Sequence, residues 1–344
     1  MKYPLSLTLL FISLLSFYSC GDDIVNGSNG NTGSNTDFDI YALKINNSLF
    51  RFESYVIKED RTNFRLFSDT LFVLCSAVNN RILLGKIDQT GFSLSSLYSA
   101  AHNGTALVNI PIDGYYPLYF DITKDGDKAL FTTDAGNYLC VINTDGTGLL
   151  QISDGIRGTE DVPKFSPDGK LIAFFEAPSS LETGLFITNT SGTYKKQLTD
   201  SIFYSNGFTL DWSPDGSKIV YQSRKGNLNE PVIYLIDTSG NNIEILTGGF
   251  NPQWSPNGEK ISYLGFGTSS QNDMFIMNPD GTGITNITNS ANVYEGNGKW
   301  SRDGTKLIYS QQYLGNTELS YYIYEVNTGS SFFLIDSVNG CLWK

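Results

Sequence analysis

One phrase recurs along this chain, and it limits the possible folds more than any other feature. "FSPDGKLIAFF" begins at Phe165, "WSPDGSKIVYQ" at Trp212, "WSPNGEKISYL" at Trp254 and "WSRDGTKLIYS" at Trp300. The associated glycines Gly126, Gly169, Gly216, Gly258 and Gly304 are spaced by roughly 42–47 residues. A period of this size marks a repeat architecture, a solenoid or a propeller. Each phrase reads as an aromatic and a hydroxyl, then a tight turn whose glycine supplies a positive φ. An alternating strand such as Lys218-Ile219-Val220-Tyr221 follows.

A second turn follows later in each unit, at Asp145-Gly146, Ser191-Gly192, Ser239-Gly240 and Asp280-Gly281. An apolar strand precedes it ("LCVIN", "LFITN", "IYLID", "MFIMN") and a shorter one follows ("LLQIS", "KKQLT", "IEILT", "ITNIT"). Each unit is therefore four short strands, a to d. Helix-period patterning is missing, and 13% aromatic residues with 34 glycines suit turn-rich β structure. A lone four-stranded sheet cannot bury both its faces, so the units must shelter one another, radially in an all-β propeller. The aromatic at the end of strand a is placed to wedge between neighbouring blades.

These phrases resemble the WD40-like (PD40) repeats of the TolB-type β-propeller family, clearly over about Asp161–Ser337 and moderately over Tyr119–Ser153. The resemblance implies four-stranded blades. It carries no particular function with it. TolB itself has an α/β domain ahead of its propeller, and no segment here matches it, so a Tol-system role is not expected.

An earlier, degenerate unit reads "FRLFSDTLFVLCSA" for strands a and b and "RILLGKIDQTGFSLSSLYS" for c and d. That makes six units, with two pieces left over. "DIYALKINNSLFRFES" reads as a hairpin turned at Asn46-Asn47, and the terminal "NGCLWK" as a further strand a with Trp343 at the wedge position. Seven blades are favoured, the seventh built from both chain ends, because that ties the termini together. Six blades with an outlying hairpin are the alternative.

The first residues, "MKYPLSLTLLFISLLSFYSC", combine a basic start, a short apolar run and a terminal small residue before cysteine. This pattern resembles a bacterial lipoprotein signal over residues 1–19, with Cys20 as the lipidated residue. Phe17 and Tyr18 depart from the usual residues of that motif. Gly21-Asp22-Asp23 resembles the surface-export signal of Bacteroidota lipoproteins. Residues 20–37 are rich in Gly, Ser and Asn and read as a flexible tether, with the propeller over 38–344. The expected location is the outer membrane, on its periplasmic or outer face, with the lipid as the sole membrane contact.

The formal net charge of −12 repels nucleic acid. His102 is the single histidine, which leaves no histidine metal cluster and does not fit a lyase of the oligogalacturonate type. No G-x-S-x-G elbow accompanies a strand–helix unit, so a propeller-gated peptidase is not expected either. The Asp-Gly turns, "TKDGDK" among them, lack the further acidic ligands of a calcium loop. No cofactor and no metal are expected. Cys75 and Cys140 lie in apolar strands and read as buried thiols. Carboxylates near the inner strands (Glu160, Asp161, Asp211, Glu295) keep open an alternative, a carbohydrate-active propeller enzyme using a carboxylate pair.

In a propeller the d–a and b–c loops gather at one rim, and here those loops vary while the turns repeat. Candidate binding residues on them and near them are Tyr116, Arg157, Glu160, Tyr204, Asp211, Arg224, Tyr294, Glu295, Lys299 and Tyr313. "SRKGNLNEP" and "QQYLGNTELS", the latter with Gln311, read as b–c loops. Tyrosines beside amides and basic groups suit a protein or a glycan. The favoured expectation is a non-enzymatic envelope lipoprotein whose rim binds one of these. The short O-glycosylation motif of Bacteroidota is resembled at Asp69-Thr70-Leu71, Asp200-Ser201-Ile202 and Asp336-Ser337-Val338.

Overall fold

Seven antiparallel sheets, six of four strands and one with a fifth, make the protein a seven-bladed β-propeller. The computed structural model describes residues 40–343 apart from 47–50, 59, 63–64, 69–70, 77–80, 88–93, 102–105, 113–116, 134–137, 154–162, 180–181, 200–208, 225–230, 268–270, 297, 317, 337 and 339. No helix occurs among the described residues. The chain divides into two compact units, one of residues 1–135, 140–150 and 338–344, the other of 136–139 and 151–337.

In the first unit, both chain ends share blade 1. Gly340–Trp343 pairs with Ile40–Asn46, which pairs in turn with Arg51–Ile57 and that with Arg65–Ser68. Register runs Ile40↔Trp343 to Leu43↔Gly340. The expected shared blade is therefore present. The turn expected at Asn46-Asn47 lies partly outside the described residues. One expectation fails here: Arg65–Ser68 is the fourth strand of blade 1, so the degenerate unit is shifted by one strand. Blade 2 runs Phe72–Ser76, Arg81–Ile87, Leu94–Ala101 and Val108–Ile110. The shift has a physical cause. This stretch lacks the Ser-x-Asp-Gly turn that marks where strand a ends, so alternation alone did not set the frame. Tyr41 and Val56 of blade 1 pack with Val73, Ile82, Leu84 and Ala100 of blade 2.

Blade 3 runs Pro117–Ile122, Lys128–Thr133, Leu139–Asn143 and Leu150–Gln151. Its Cys140 is buried and free, with the thiol pushed up to about 11 by burial. Cys341 is also buried and free. The side chain of Cys75 lies outside the described residues.

The second unit holds the four regular blades. Their inner strands are Lys164–Phe165, Leu210–Trp212, Phe250–Trp254 and Lys299–Trp300. In blades 4 to 7 the second strands are Leu171–Ser179, Lys218–Arg224, Ile261–Phe266 and Lys306–Tyr313. The third strands are Glu182–Asn189, Pro231–Asp237, Asn272–Met277 and Ser320–Glu325. Lys195–Gln197, Ile243–Gly248, Thr285–Asn286 and Ser330–Asp336 form the outer edges.

Three cores among the described residues of this unit are each made by two blades. Ala173, Phe175, Leu185 and Ile187 of blade 4 meet Leu210, Trp212, Ile219 and Tyr221 of blade 5. Val220, Ile233 and Leu235 of blade 5 meet Trp254, Ile261 and Tyr263 of blade 6. Leu264, Met274 and Ile276 of blade 6 meet Trp300, Leu307 and Tyr309 of blade 7. Every one of these clusters contains the tryptophan that ends the later blade's inner strand, and burying such a side chain contributes about 2–3 kcal/mol. The indole N–H of Trp212 donates to the backbone oxygen of Lys164 at 3.1 Å, and that of Trp300 to Gln253 at 3.3 Å. Each of these wedges is thereby pinned to an inner strand of the preceding blade.

Candidate functional site

Antiparallel order places the a–b and c–d turns at one end of blades 4 to 7 and the b–c and d–a connections at the other. The first end is built by repeated chemistry. Ser166, Ser213, Ser255 and Ser301 donate through Oγ to Asp168, Asp215, Asn257 and Asp303 at 2.6–2.7 Å. The same hydroxyl accepts the N–H five residues on, at Leu171, Lys218, Lys260 and Lys306. The acid or amide also accepts an N–H two residues on. The glycine between, at φ of 69–75° for Gly169, Gly216, Gly258 and Gly304, turns the chain where a Cβ is resisted. Thr123 and Asp125 repeat the device in blade 3. The Asp125 carboxylate of "TKDGDK" is thus occupied by its own turn. The Ser166 hydroxyl and then Lys170 hold the Asp168 carboxyl down at about 2, and the Ser213 hydroxyl lowers Asp215.

The residue before each wedge lies on the innermost strand, on the opposite face from the aromatic. These residues are Lys164, Asp211, Gln253 and Lys299. Lys164 Nζ lies 2.7 Å from Asp211 Oδ1, and Asp211 Oδ2 accepts the backbone N–H of Trp254 at 2.7 Å. Lys299 is buried. Burial first, and the charge of Lys164 second, pull its ammonium pKa down to about 7, with Asp211 opposing. Asp211 and Lys299, both expected at the site, are thus electrostatic neighbours. Lys164 completes the group and was missed, as was Gln253. The signal for both was present: strand period two sends the residue before every wedge to the other face.

At the opposite end, blade 7 departs from the loops read in sequence. The d–a segment contains a strand, Val293–Glu295, which pairs with the end of Lys306–Tyr313. The "QQY" stretch is therefore strand rather than b–c loop. Val293↔Tyr313 and Tyr294↔Gln312 bring Tyr294 and Tyr313 into one short ladder. Tyr294 is 46% exposed, Tyr313 50% and Leu314 46%. On blade 6, Phe266 ends the second strand 64% exposed, its ring 6.2 Å from that of Phe250. Phe266 was not among the expected residues, because nothing in "YLGFG" separates an outward aromatic from a core one.

Glu295 is buried beneath this rim. Burial raises its carboxyl pKa, the Ser290 hydroxyl works against that, and the Asp273 charge adds to it. Gln311 Nε2 also donates to Glu295 Oε1, at 3.3 Å. The backbone of Arg224 ends the second strand of blade 5, paired with Pro231. Cys20, Tyr116, Arg157, Glu160, Asp161, His102 and Tyr204 lie outside the described residues, as do Asp69-Thr70, Asp200-Ser201-Ile202 and Ser337.

The family model described as "TolB beta propeller domain" matches residues 138–320, so the chain belongs to the TolB β-propeller domain family. Among solved structures it is similar to TolB from Acinetobacter baumannii, with 15% identity, 99% of this chain and 94% of that one covered, and a TM-score of 0.56. It is similar to putative TolB from Agrobacterium tumefaciens, with 18% identity over 64% and 81% of the two chains and a TM-score of 0.51. It is also similar to a puromycin-hydrolyzing peptidase from Mycobacterium tuberculosis, with 11% identity, 88% and 52% covered, and a TM-score of 0.62. At such identities the likeness is one of fold, shared by non-enzymatic propellers and enzymes alike. No curated protein matches the chain.

Proposed function

We propose that this protein is a non-enzymatic binding protein of the cell envelope, carried by a lipid on Cys20, whose rim on blades 6 and 7 engages a protein partner. The carrying observation is the exposure of large apolar side chains at this end, Phe266, Tyr294, Tyr313 and Leu314, between 46% and 64% exposed, with Tyr294 and Tyr313 on opposite faces of their short ladder. Aromatic side chains at this exposure are costly to leave in water and are the usual anchors of protein interfaces. A TolB-like propeller fold is in keeping with a protein-interaction role.

The described candidates for a glycan-cleaving carboxylate pair are both engaged. Asp211 is ion-paired to Lys164 and bonded to the Trp254 N–H. Glu295 is sealed below the surface, 4% exposed. Neither presents its carboxyl group to a glycosidic bond, which favours binding over hydrolysis.

The test is affinity capture from native envelopes, with the wild-type chain beside a Tyr294→Ala/Tyr313→Ala variant and a glycan array run in parallel. A partner protein held by the wild type and released by the variant is expected. Glycan binding without a captured protein assigns the rim to sugars instead. Steady release of product from a polysaccharide panel would overturn the non-enzymatic reading.

A further inference from the structure

The two oxygens of Glu295 are not treated alike. Oε1 accepts hydrogen bonds from Ser290 Oγ and Gln311 Nε2. Oε2 is buried with no hydrogen-bond partner among the described residues. An ionised carboxylate carries charge on both oxygens, and burying one of them unpaired is expensive. A neutral acid fits better: its carbonyl oxygen takes both donors at Oε1, and its proton sits on Oε2. The packing offers no other relief. Glu295 is 4% exposed, and a Cβ on Gly296 would fall 2.1 Å from Ser310 Oγ, so the space beside the strand is filled.

The surrounding charges point the same way. Val293–Glu295 packs against the third strand of blade 6 and the second strand of blade 7. The first contributes Asp273, 1% exposed. Its Oδ2 accepts from Asn286 Nδ2 at 2.7 Å and its Oδ1 from the Ser290 N–H at 3.3 Å. Both Asp273 oxygens therefore have donors, and the Asp273 charge adds to burial in raising the Glu295 pKa. The second strand contributes Tyr309 and Tyr313, with Lys306 at its far end. Burial first raises the Tyr309 phenol, and the charge of Glu295 adds to that. No cation enters the balance on Glu295 among the described residues. Two buried acids without a cation favour holding one proton, and the acid with an unpaired oxygen is the one to hold it.

The strand that carries Glu295 is short enough to open by itself. Its three residues pair with Gln311–Tyr313 and display Tyr294 at the surface. Ahead of it, Asn289 and Asn292 stand in the left-handed region, at φ 45° and 62°. Short segments with few buried contacts are the first to open locally.

We propose that Glu295 is a proton latch for the rim: protonated, it seals Val293–Glu295 onto blade 7, and once its proton passes to solvent the carboxylate draws that strand off Gln311–Tyr313 and carries Tyr294 with it. The consequence for binding, a partner held more tightly in acid, rests on the rim reading given above, whereas the latch is a property of the fold. The sign follows from the raised carboxyl of the closed strand against an ordinary value of about 4.3 in the opened one. The closed strand is fully favoured below that ordinary value. It loses ground as pH rises towards the closed-state pKa, by up to about tenfold in the opening constant per pH unit.

Amide hydrogen exchange on the full chain tests the latch without any partner. The reporters are the Gly296 N–H, which donates to the Ser310 oxygen, and the Leu314 N–H, which donates to the Asn292 oxygen. The Gly216 N–H, which donates to the Ser213 oxygen in a turn, is the internal standard. After correction for base catalysis, opening at Gly296 and Leu314 should rise about tenfold more than at Gly216 between about pH 4.5 and about pH 7.5. Glu295→Gln keeps the shape of the neutral acid and should abolish that rise. Should the variant fail to fold, the wild-type contrast between Gly296 and Gly216 decides alone. Protection at Gly296 and Leu314 that tracks Gly216 across the range, or a rise that persists in the variant, overturns the proposal. A rise in opening with no loss of partner capture upholds the latch and counts against the rim as the binding site.

Discussion

The two ends of blades 4 to 7 obey different rules. At the turn end, each blade repeats one hydrogen-bond set around Ser166, Ser213, Ser255 and Ser301, and blades 5 to 7 each wedge one indole into the preceding blade. At the rim end a shorter device recurs, the N–H of Leu185 donating to Thr199 Oγ1 and that of Met274 to Thr288 Oγ1, while the connections themselves differ. Blade 7 adds a strand, blade 6 displays Phe266, and Glu295 is buried with one oxygen unpaired. The difference teaches where the fold keeps its stability and where it is free to vary. Polar groups at the turn end satisfy one another within six residues, whereas those at the rim reach farther along the chain, Gln311 to Glu295 and Ser290 to Asp273 of the preceding blade. A substitution at the first end should therefore act on folding, and one at the second on binding.

The largest expected effect is that of a wedge. Trp212→Ala removes a buried indole and its bond to Lys164, and should cost about 3–5 kcal/mol in denaturant unfolding. A loss below about 1 kcal/mol would break the comparison, since the wedge would then be ornament.

Next come the turn glycines. Gly216→Ala and Gly304→Ala both place an L residue at φ 71°, costing roughly 1–2 kcal/mol each. The added carbon on Gly216 meets only Pro167, at 3.7 Å, whereas on Gly304 it meets Asn257 Cγ at 2.5 Å. Asn257 is itself held by Ser255 and the N–H of Glu259, so it yields at a cost. Gly304→Ala should be the more destabilising of the two by chemical denaturation. Equal losses would show that neighbouring turns do not press on one another.

Charge gives a smaller and pH-dependent contrast. Asp168 is depressed in the fold, so its contribution is present above the ordinary carboxylate range of about 4 and is lost as pH falls towards about 2. Lys299 runs the other way. Its pKa of about 7 in the fold lies below the unfolded value near 10.4, so between those values the unfolded chain binds more protons. Stability should rise with pH across that window, and Lys299→Met should flatten the rise in melts taken from pH 7 to 10. An unchanged slope would place Lys299 in contact with water.

The smallest effect on folding is expected at the rim. Tyr294→Ala with Tyr313→Ala should change stability by about 0.5 kcal/mol or less while removing partner capture. A large drop in Tm would make these residues part of the core and would erase the distinction between the two ends.

Much of this was legible beforehand, and the reasons are local. The Ser-x-Asp-Gly turn is specified by residues within one short stretch, so its appearance in the sequence marks the end of strand a wherever it occurs. The shared blade was favoured by counting units and finding a hairpin left over at one end and a strand at the other. Where the turn was missing, at Arg65–Ser76, alternation alone mis-set the frame by one strand, because a strand's period says nothing of which strand it is. Asp211, Tyr294, Glu295, Lys299 and Tyr313 were named in sequence as residue types near the inner strands and rim loops, as candidates only. Lys164, Phe266 and Asp273 were not, since a lysine before a phenylalanine or an aspartate within an apolar strand carries no motif.

The sequence by itself determined the all-β class, the repeating blade and the turn chemistry, and favoured the closing of both termini into one sheet over six blades, because each rests on neighbours along the chain or on a simple count. The tertiary structure alone decided which acids are buried and which aromatics face water. It set Asp211 against Lys164, and it set Glu295 near Asp273 through Ser290. The physical reason is distance along the chain: desolvation and charge act through space, and residues from different blades come close only once the sheets have packed.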